Sequence, residues 1–221
     1  MERVAELFHT GGVFMHINLL CAVVALAIIV DRTIFLIRSG TVNGKVLYEM
    51  LRRMILAKRL DRAIKMCSSA AGPILKVAHV ALIRATQGEE AVAAAVEEAM
   101  VEITPNIKKR ISSLWALANI ATLLGLIGTI SGLIQSFAAV GSAAAEERST
   151  KLAAGISEAM NNTWLGLIIA VACIVAHLAL SGVAKRRVAE MEAFAIKMEN
   201  MLAMDSIKAC LAEPQAEEAG K

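Results

Sequence analysis

The chain has 221 residues, of which 57% are hydrophobic and 19% charged, with a formal net charge of +3 and a mean hydropathy of +0.61. Soluble domains carry about 45–50% apolar and about 25% charged residues. Here the apolar excess is concentrated in three stretches without Asp, Glu, Lys or Arg: Leu7–Val30, Ile111–Ala145 and Ala159–Ala184. Each exceeds the roughly 20 residues that a helix needs to cross a bilayer. This excludes a soluble enzyme, a secreted disulfide scaffold and a disordered chain, and the charge is too small to point to nucleic acid.

In chain order, residues 1–12 form an N-terminal segment, read as a short amphipathic helix broken at Gly11-Gly12. The opening Glu2 and Glu6 do not fit the basic start of a cleavable signal. The first transmembrane helix is expected over 13–37, with Ile28-Ile-Val-Asp-Arg32 placing a charge pair at one membrane boundary. A polar helical region covers 38–110. Leu47, Leu51, Met54 and Ile55 recur at helical spacing, as do Ile74, Val77, Ala78, Ala81 and Leu82, with basic residues on the other faces. Gly72-Pro73 marks a helix start, Gly88 a helix end, and Glu89–Ile103 an Ala-rich helix. Pro105 is expected to start or kink the next helix. No β pattern occurs.

The second transmembrane helix is expected over 111–140. The 35 uncharged residues of its run would make a helix of about 52 Å, against a hydrocarbon core of about 30 Å, so it either tilts strongly or continues beyond the membrane. Ser112, Ser113 and Asn119 near its start favour extension into the cytosol, and the third run behaves likewise. A short loop follows over 141–152, the third transmembrane helix over 153–184, a further helix over 185–212 and a disordered tail over 213–221. The fold class is therefore all-α, an integral membrane protein with three spans.

Charge asymmetry sets the expected topology. Residues 38–110 hold thirteen Lys/Arg against seven Asp/Glu, and Lys185-Arg186-Arg187 follows the third run. Lys/Arg-rich segments stay in the cytosol, which puts the N-terminus and the 141–152 loop outside and the 38–110 region and C-terminus inside. Cys21, Cys67, Cys173 and Cys210 have no metal-ligand or CxxC spacing and read as small packing residues. No metal site and no cofactor are expected, and no Walker loop or nucleophile elbow is present, so no enzyme is expected.

The informative pattern is a seam of small and polar residues. Thr122, Gly125, Thr129, Gly132 and Ser136 fall on one face of the second span, and Gly128-x-x-x-Gly132 adds a small-xxx-small step. Gly155, Ala159, Thr163, Gly166, Ala170, Cys173 and His177 fall on one face of the third. Such residues either let helices pack closely or line a polar path. A hydroxyl donates and accepts, so Thr129 and Thr163 could serve either a protonated or an ionised carboxyl. Glu158 is the carboxylate of the third hydrophobic region, read as an ion-path group or as a Glu that reaches the interface or caps a helix start. His177 is a relay candidate near the inner end. Asp31 and Arg32 read as an ion pair, within the chain or between subunits. Asn161 and Asn162 should face protein rather than lipid. The seam lacks a deep acidic residue, which points to a carboxylate supplied by a partner.

These residues resemble the MotA/TolQ/ExbB proton-channel family, in particular its three-span TolQ/ExbB branch. Leu123-Leu-Gly-Leu-Ile-Gly-Thr-Ile-Ser-Gly-Leu-Ile134 is similar to the branch's LLGLLGTVxGMI signature. Gly155-Ile-Ser-Glu-Ala-Met, with Thr163 and Gly166-Leu167, is similar to GISEALxxTAxGL. Thr122 and Ala172 stand where the family often has proline, and Asn161, Asn162 and Trp164 replace small apolar residues. The resemblance implies a homopentamer in the bacterial inner membrane around two copies of a single-span ExbD/TolR-like partner. That partner's intramembrane Asp carries the proton past Thr129 and Thr163, with Glu158 as the third-span carboxylate. It also implies a motor that works on a TonB- or TolA-like periplasmic component or on gliding-type motility, among membrane lipids and without nucleic acid. The alternative from another class is a passive membrane scaffold.

Overall fold

The computed structural model describes residues 12–40, 43–69, 72–141 and 144–204. They form seven helices: α1 (Gly12–Ser39), α2 (Gly44–Leu56), α3 (Leu60–Ser69), α4 (Pro73–Arg84), α5 (Glu89–Lys108), α6 (Ile111–Gly141) and α7 (Arg148–Ala203). No strand occurs among the described residues. The expected amphipathic segment before Gly12 and the tail from Glu213 lie outside them.

Local chemistry sets the helix ends. Asn43 caps α2 by accepting the Lys45 N–H at 3.1 Å, as short polar side chains do at helix starts. After α2, Lys58 takes a left-handed φ of 57°. The Arg59 N–H then reaches back to the Met54 carbonyl at 3.0 Å, the six-to-one bond of a Schellman turn. Pro73 occupies the first turn of α4, where its missing N–H is not needed. Gly88 precedes α5 at φ 106°, a conformation that suits glycine. Pro105 does not start a helix: α5 continues through it. The break falls at Lys109–Arg110, where Arg110 adopts φ 62°. The third apolar run also differs from its expected bounds. α7 starts at Arg148 rather than 153 and continues without interruption to Ala203. Its first turns are supported by a Glu147–Lys151 ion pair of 2.8 Å, and nothing in 185–203 is a helix breaker.

The chain divides into two compact units, one holding Arg110–Ser181 with the α1 segment to Thr33, the other Ile34–Lys109 with the chain from Gly182. In the first unit α6 buries a stripe of Ile111, Leu114, Ala118, Ala121, Gly125, Gly128 and Ser136. Ala159, Asn162, Ala170 and Cys173 of α7 are likewise buried. Large apolar side chains point outward: Leu26, Ile134, Phe137 and Leu178 are all more than 60% exposed. Among the described residues three helices are long and apolar enough to cross a membrane, and outward-facing leucine is what lipid as solvent demands. In the second unit the amphipathic helices bury Leu47, Leu51 and Ile55 of α2, Val77, Ala78, Ala81 and Leu82 of α4, and Val96 and Ile107 of α5. Met198 and Met201 of α7 are buried in the same unit. Met54, expected with the α2 core, is half-buried at its edge.

Candidate functional site

The threonines singled out in the sequence meet across α6 and α7. The hydroxyls of Thr129 and Thr163 are in direct hydrogen-bond contact. Thr129 Oγ1 is also 2.9 Å from the Gly125 carbonyl and 3.2 Å from the Ala159 carbonyl. Thr163 Oγ1 lies 3.2 Å from the same Gly125 carbonyl. Each hydroxyl has one proton to give, so several acceptors compete for two protons. Whichever pattern forms, at least one hydroxyl lone pair stays able to accept. Both threonines are half-buried in the single chain.

Glycines make this contact possible by bringing two backbones together. A Cβ on Gly166 would lie 2.6 Å from the Ala121 carbonyl oxygen and 3.2 Å from the Gly125 Cα. A Cβ on Gly125 would come within 3.2 Å of the Thr163 Cα, and one on Gly128 within 2.7 Å of the Asn162 amide nitrogen. Gly132 faces Ala159 at 3.0 Å by the same measure, and Gly155 faces the Ser136 hydroxyl with no room for a side chain. The small residues of the seam thus form the α6–α7 packing surface within one chain. Thr122 and Ser136 satisfy their hydroxyls on their own helix, donating to Ala118 at 2.9 Å and Gly132 at 2.7 Å.

The remaining candidates lie apart from the threonine pair. Glu158 is exposed on α7. It does not cap a helix start, because α7 begins at Arg148. His177 Nδ1 is 2.9 Å from the Ile111 carbonyl oxygen, and its ring lies 6.1 Å from that of Trp115. It ties α7 to the first turn of α6. Asp31 pairs with Arg32 at 3.0 Å and with Arg110 at 3.6 Å. The ion pair therefore lies within the chain and joins α1 to the start of α6. Among the described residues no group of His, Cys, Asp or Glu could hold a metal ion.

Sequence reasoning passed over Asn18. This side chain of α1 is 0% exposed, and neither its amide nitrogen nor its oxygen has a hydrogen-bond partner. It lies beside Gly166, whose Cβ would be 3.4 Å from the Asn18 nitrogen, next to the Gly125 region that carries both threonine hydroxyls. The signal was an amide between Ile17 and Leu19 in an uncharged run, which should face protein by the rule applied to Asn161 and Asn162. Asn162 does so at 4% exposure, while Asn161 is half-buried.

Three apolar helices around a small-residue seam define an all-α, multi-pass membrane protein. The MotA/TolQ/ExbB proton channel family matches residues 47–193, and the chain belongs to that family. It is similar to a Methanothermobacter thermautotrophicus protein named as a biopolymer transport protein ExbB homolog, 22% identical over 179 residues, which cover 81% of this chain and 63% of that one. It is also similar to a Synechocystis protein named as biopolymer transport protein ExbB-like 3, 36% identical over 83 residues, covering 37% and 39% of the two chains. The chain thus spans less than two thirds of the length of either relative.

Proposed function

We propose that this protein is the proton-channel subunit of a membrane motor that converts proton motive force into work on an envelope process of the TonB or Tol kind. The observation that carries this reading is the direct contact of the Thr129 and Thr163 hydroxyls above a shared Gly125 carbonyl. A hydroxyl pair with more acceptors than protons can reorganise its hydrogen bonds at little cost. It can therefore accept from a protonated carboxyl and donate to an ionised one without holding a fixed charge. In this reading the carboxyl is an intramembrane Asp of a single-span ExbD/TolR-like partner, present as a dimer inside a pentamer of this chain. One charge crossing 100 mV releases about 2.3 kcal/mol, enough to bias a rotational step between pentamer positions. Glu158, exposed on the single chain, would face a neighbour or the mouth of the path. The protein would sit in the inner membrane with its N-terminus periplasmic and its C-terminus cytosolic, as the Lys/Arg asymmetry supports.

The test is proton flux. The chain is reconstituted into liposomes with its Asp-bearing partner, a potential is imposed, and internal pH is followed with a trapped dye. Thr129→Ala and Thr163→Ala are each expected to reduce flux about a hundredfold or more, the range for losing a positioned proton-transfer group, while the complex still assembles. Undiminished flux in both variants would remove the pathway. Flux independent of the partner's carboxylate would remove the partner from the path, and no flux in the wild-type complex would favour a passive scaffold.

A further inference from the structure

Outside the span seam, the second unit contains a cavity of about 460 Å³ bounded by Gly40, Asn43–Lys45 and the Arg186–Lys197 stretch of α7. Its wall holds four cations, Lys45, Arg186, Arg187 and Lys197, against one carboxylate, Glu190. Ala193 and Phe194 supply its apolar lining, and Phe194 is 3% exposed.

Glu190 does not neutralise this wall. It takes Arg186 Nε at 3.1 Å and Arg187 Nη1 at 3.0 Å. Burial pushes its carboxyl up, but the bonds and charges of the two arginines prevail and hold it below its ordinary value. The carboxylate therefore fixes the guanidinium groups and leaves three positive charges in excess. Lys45 and Lys197 have no ion-pair partner among the described residues. The Arg187 Nε is buried without a hydrogen-bond partner. Gly40 keeps the space open for this arginine, since a Cβ there would overlap its guanidinium. The start of α2 is already capped by Asn43, so the side-chain cations, not the helix end, supply the attraction.

The sequence places this wall at a membrane boundary. Arg186 and Arg187 are the second and third residues after the uncharged run that ends at Ala184. Two or three helical residues advance about 3–4.5 Å, within a headgroup layer of about 5–7 Å per leaflet. Clustered basic residues beside spans are suited to anionic headgroups, and a guanidinium fork matches the oxygens of a phosphate.

We propose that this cavity is a phosphate-binding site, occupied by the headgroup of an anionic phospholipid or by a free phosphate anion. The site involves none of the threonine path, so it stands or falls separately from proton conduction.

Native mass spectrometry of the full chain in detergent tests the proposal, with phosphatidylglycerol, phosphatidylcholine and inorganic phosphate as separate additions. Phosphatidylglycerol is expected to bind more tightly than phosphatidylcholine, and each of Lys45→Gln, Lys197→Gln and Arg187→Gln to weaken it about fivefold. Lys185→Gln, with the same charge change outside the cavity wall, is expected to leave binding unaltered. Displacement of the lipid by millimolar phosphate would identify a site for the free anion, and retention of the lipid a headgroup site. The lysine variants break no ion pair within the unit, so they keep the test clear of misfolding. Equal binding of the two lipids with no phosphate binding, or a Lys45→Gln/Lys197→Gln variant that behaves like Lys185→Gln, would overturn the proposal.

Discussion

The two units bury their residues by opposite rules. In the α2–α5 unit, large aliphatic side chains such as Leu51, Ile55 and Leu82 are 0–1% exposed, and charges cover the outside. In the α6–α7 unit, Gly125, Ala121, Ala159 and Ser136 are buried and Thr129 and Thr163 half-buried, while Ile134 is 65% and Leu178 66% exposed. Water drives the first arrangement, because removing about 25 cal/mol per Å² of apolar surface from it is favourable. Lipid offers no such gain, so the spans are held by close backbone approach and hydrogen bonds. Large aliphatic residues are thus the core of one unit, whereas in the other, apart from residues such as Ile111 and Leu114, they are mostly at the surface.

The largest effect expected from breaking this contrast is in the aqueous-type core. Leu51→Ala, at 0% exposure, should cost about 2–5 kcal/mol. Thermal unfolding of the purified chain should show it, and the same substitution at exposed Ile134 should cost far less. Next comes Gly166→Ala. The added methyl meets the Ala121 carbonyl oxygen at 2.6 Å, and forcing α6 and α7 apart should cost about 1–3 kcal/mol. Gly182→Ala on the same helix is the control: its Cβ would meet nothing within 4 Å, so the chain should be unchanged or slightly more stable. If both glycine variants behave alike, packing by backbone approach is not what holds the spans.

The smallest effect concerns Glu199. Burial raises its pKa, and the charge of Glu97 adds to the rise. A carboxyl whose folded pKa exceeds its unfolded value opposes folding when both states are ionised. That penalty is fully present above the folded pKa and is relieved as pH falls through it. Glu199→Gln should raise the melting temperature at pH 7 by about 2 °C or less, and the gain should vanish below pH 4.

Much of the fold was legible because its signals are local. Uncharged runs marked the spans, helical periodicity marked the α2 and α4 cores, and Gly72-Pro73 marked a helix start. Gly88, expected to end a helix, instead precedes α5, and α4 ends earlier at Arg84. The misplaced boundaries have local causes too. Pro105 suggested a helix start, but α5 tolerates it, and the break sits at Arg110, a residue with no turn propensity to announce its positive φ. The start of α7 at Arg148 was hidden because a charged loop and a charged first helical turn have the same composition. At the site, spacing placed Thr129 and Thr163 on helix faces but could not distinguish packing glycines from pore-lining ones, since both readings use the same residues.

The sequence by itself determined that this is a three-span, all-helical membrane protein with a polar seam on two of its spans, because helix periodicity and bilayer thickness act on neighbouring residues. Only the tertiary structure decided that the seam's glycines are consumed in bringing α6 against α7, that the two threonine hydroxyls consequently touch, and that Asn18 lies buried beside Gly166. Each of those facts depends on the register between helices far apart in the chain. That register is set by which backbone can approach which, and no local pattern encodes it.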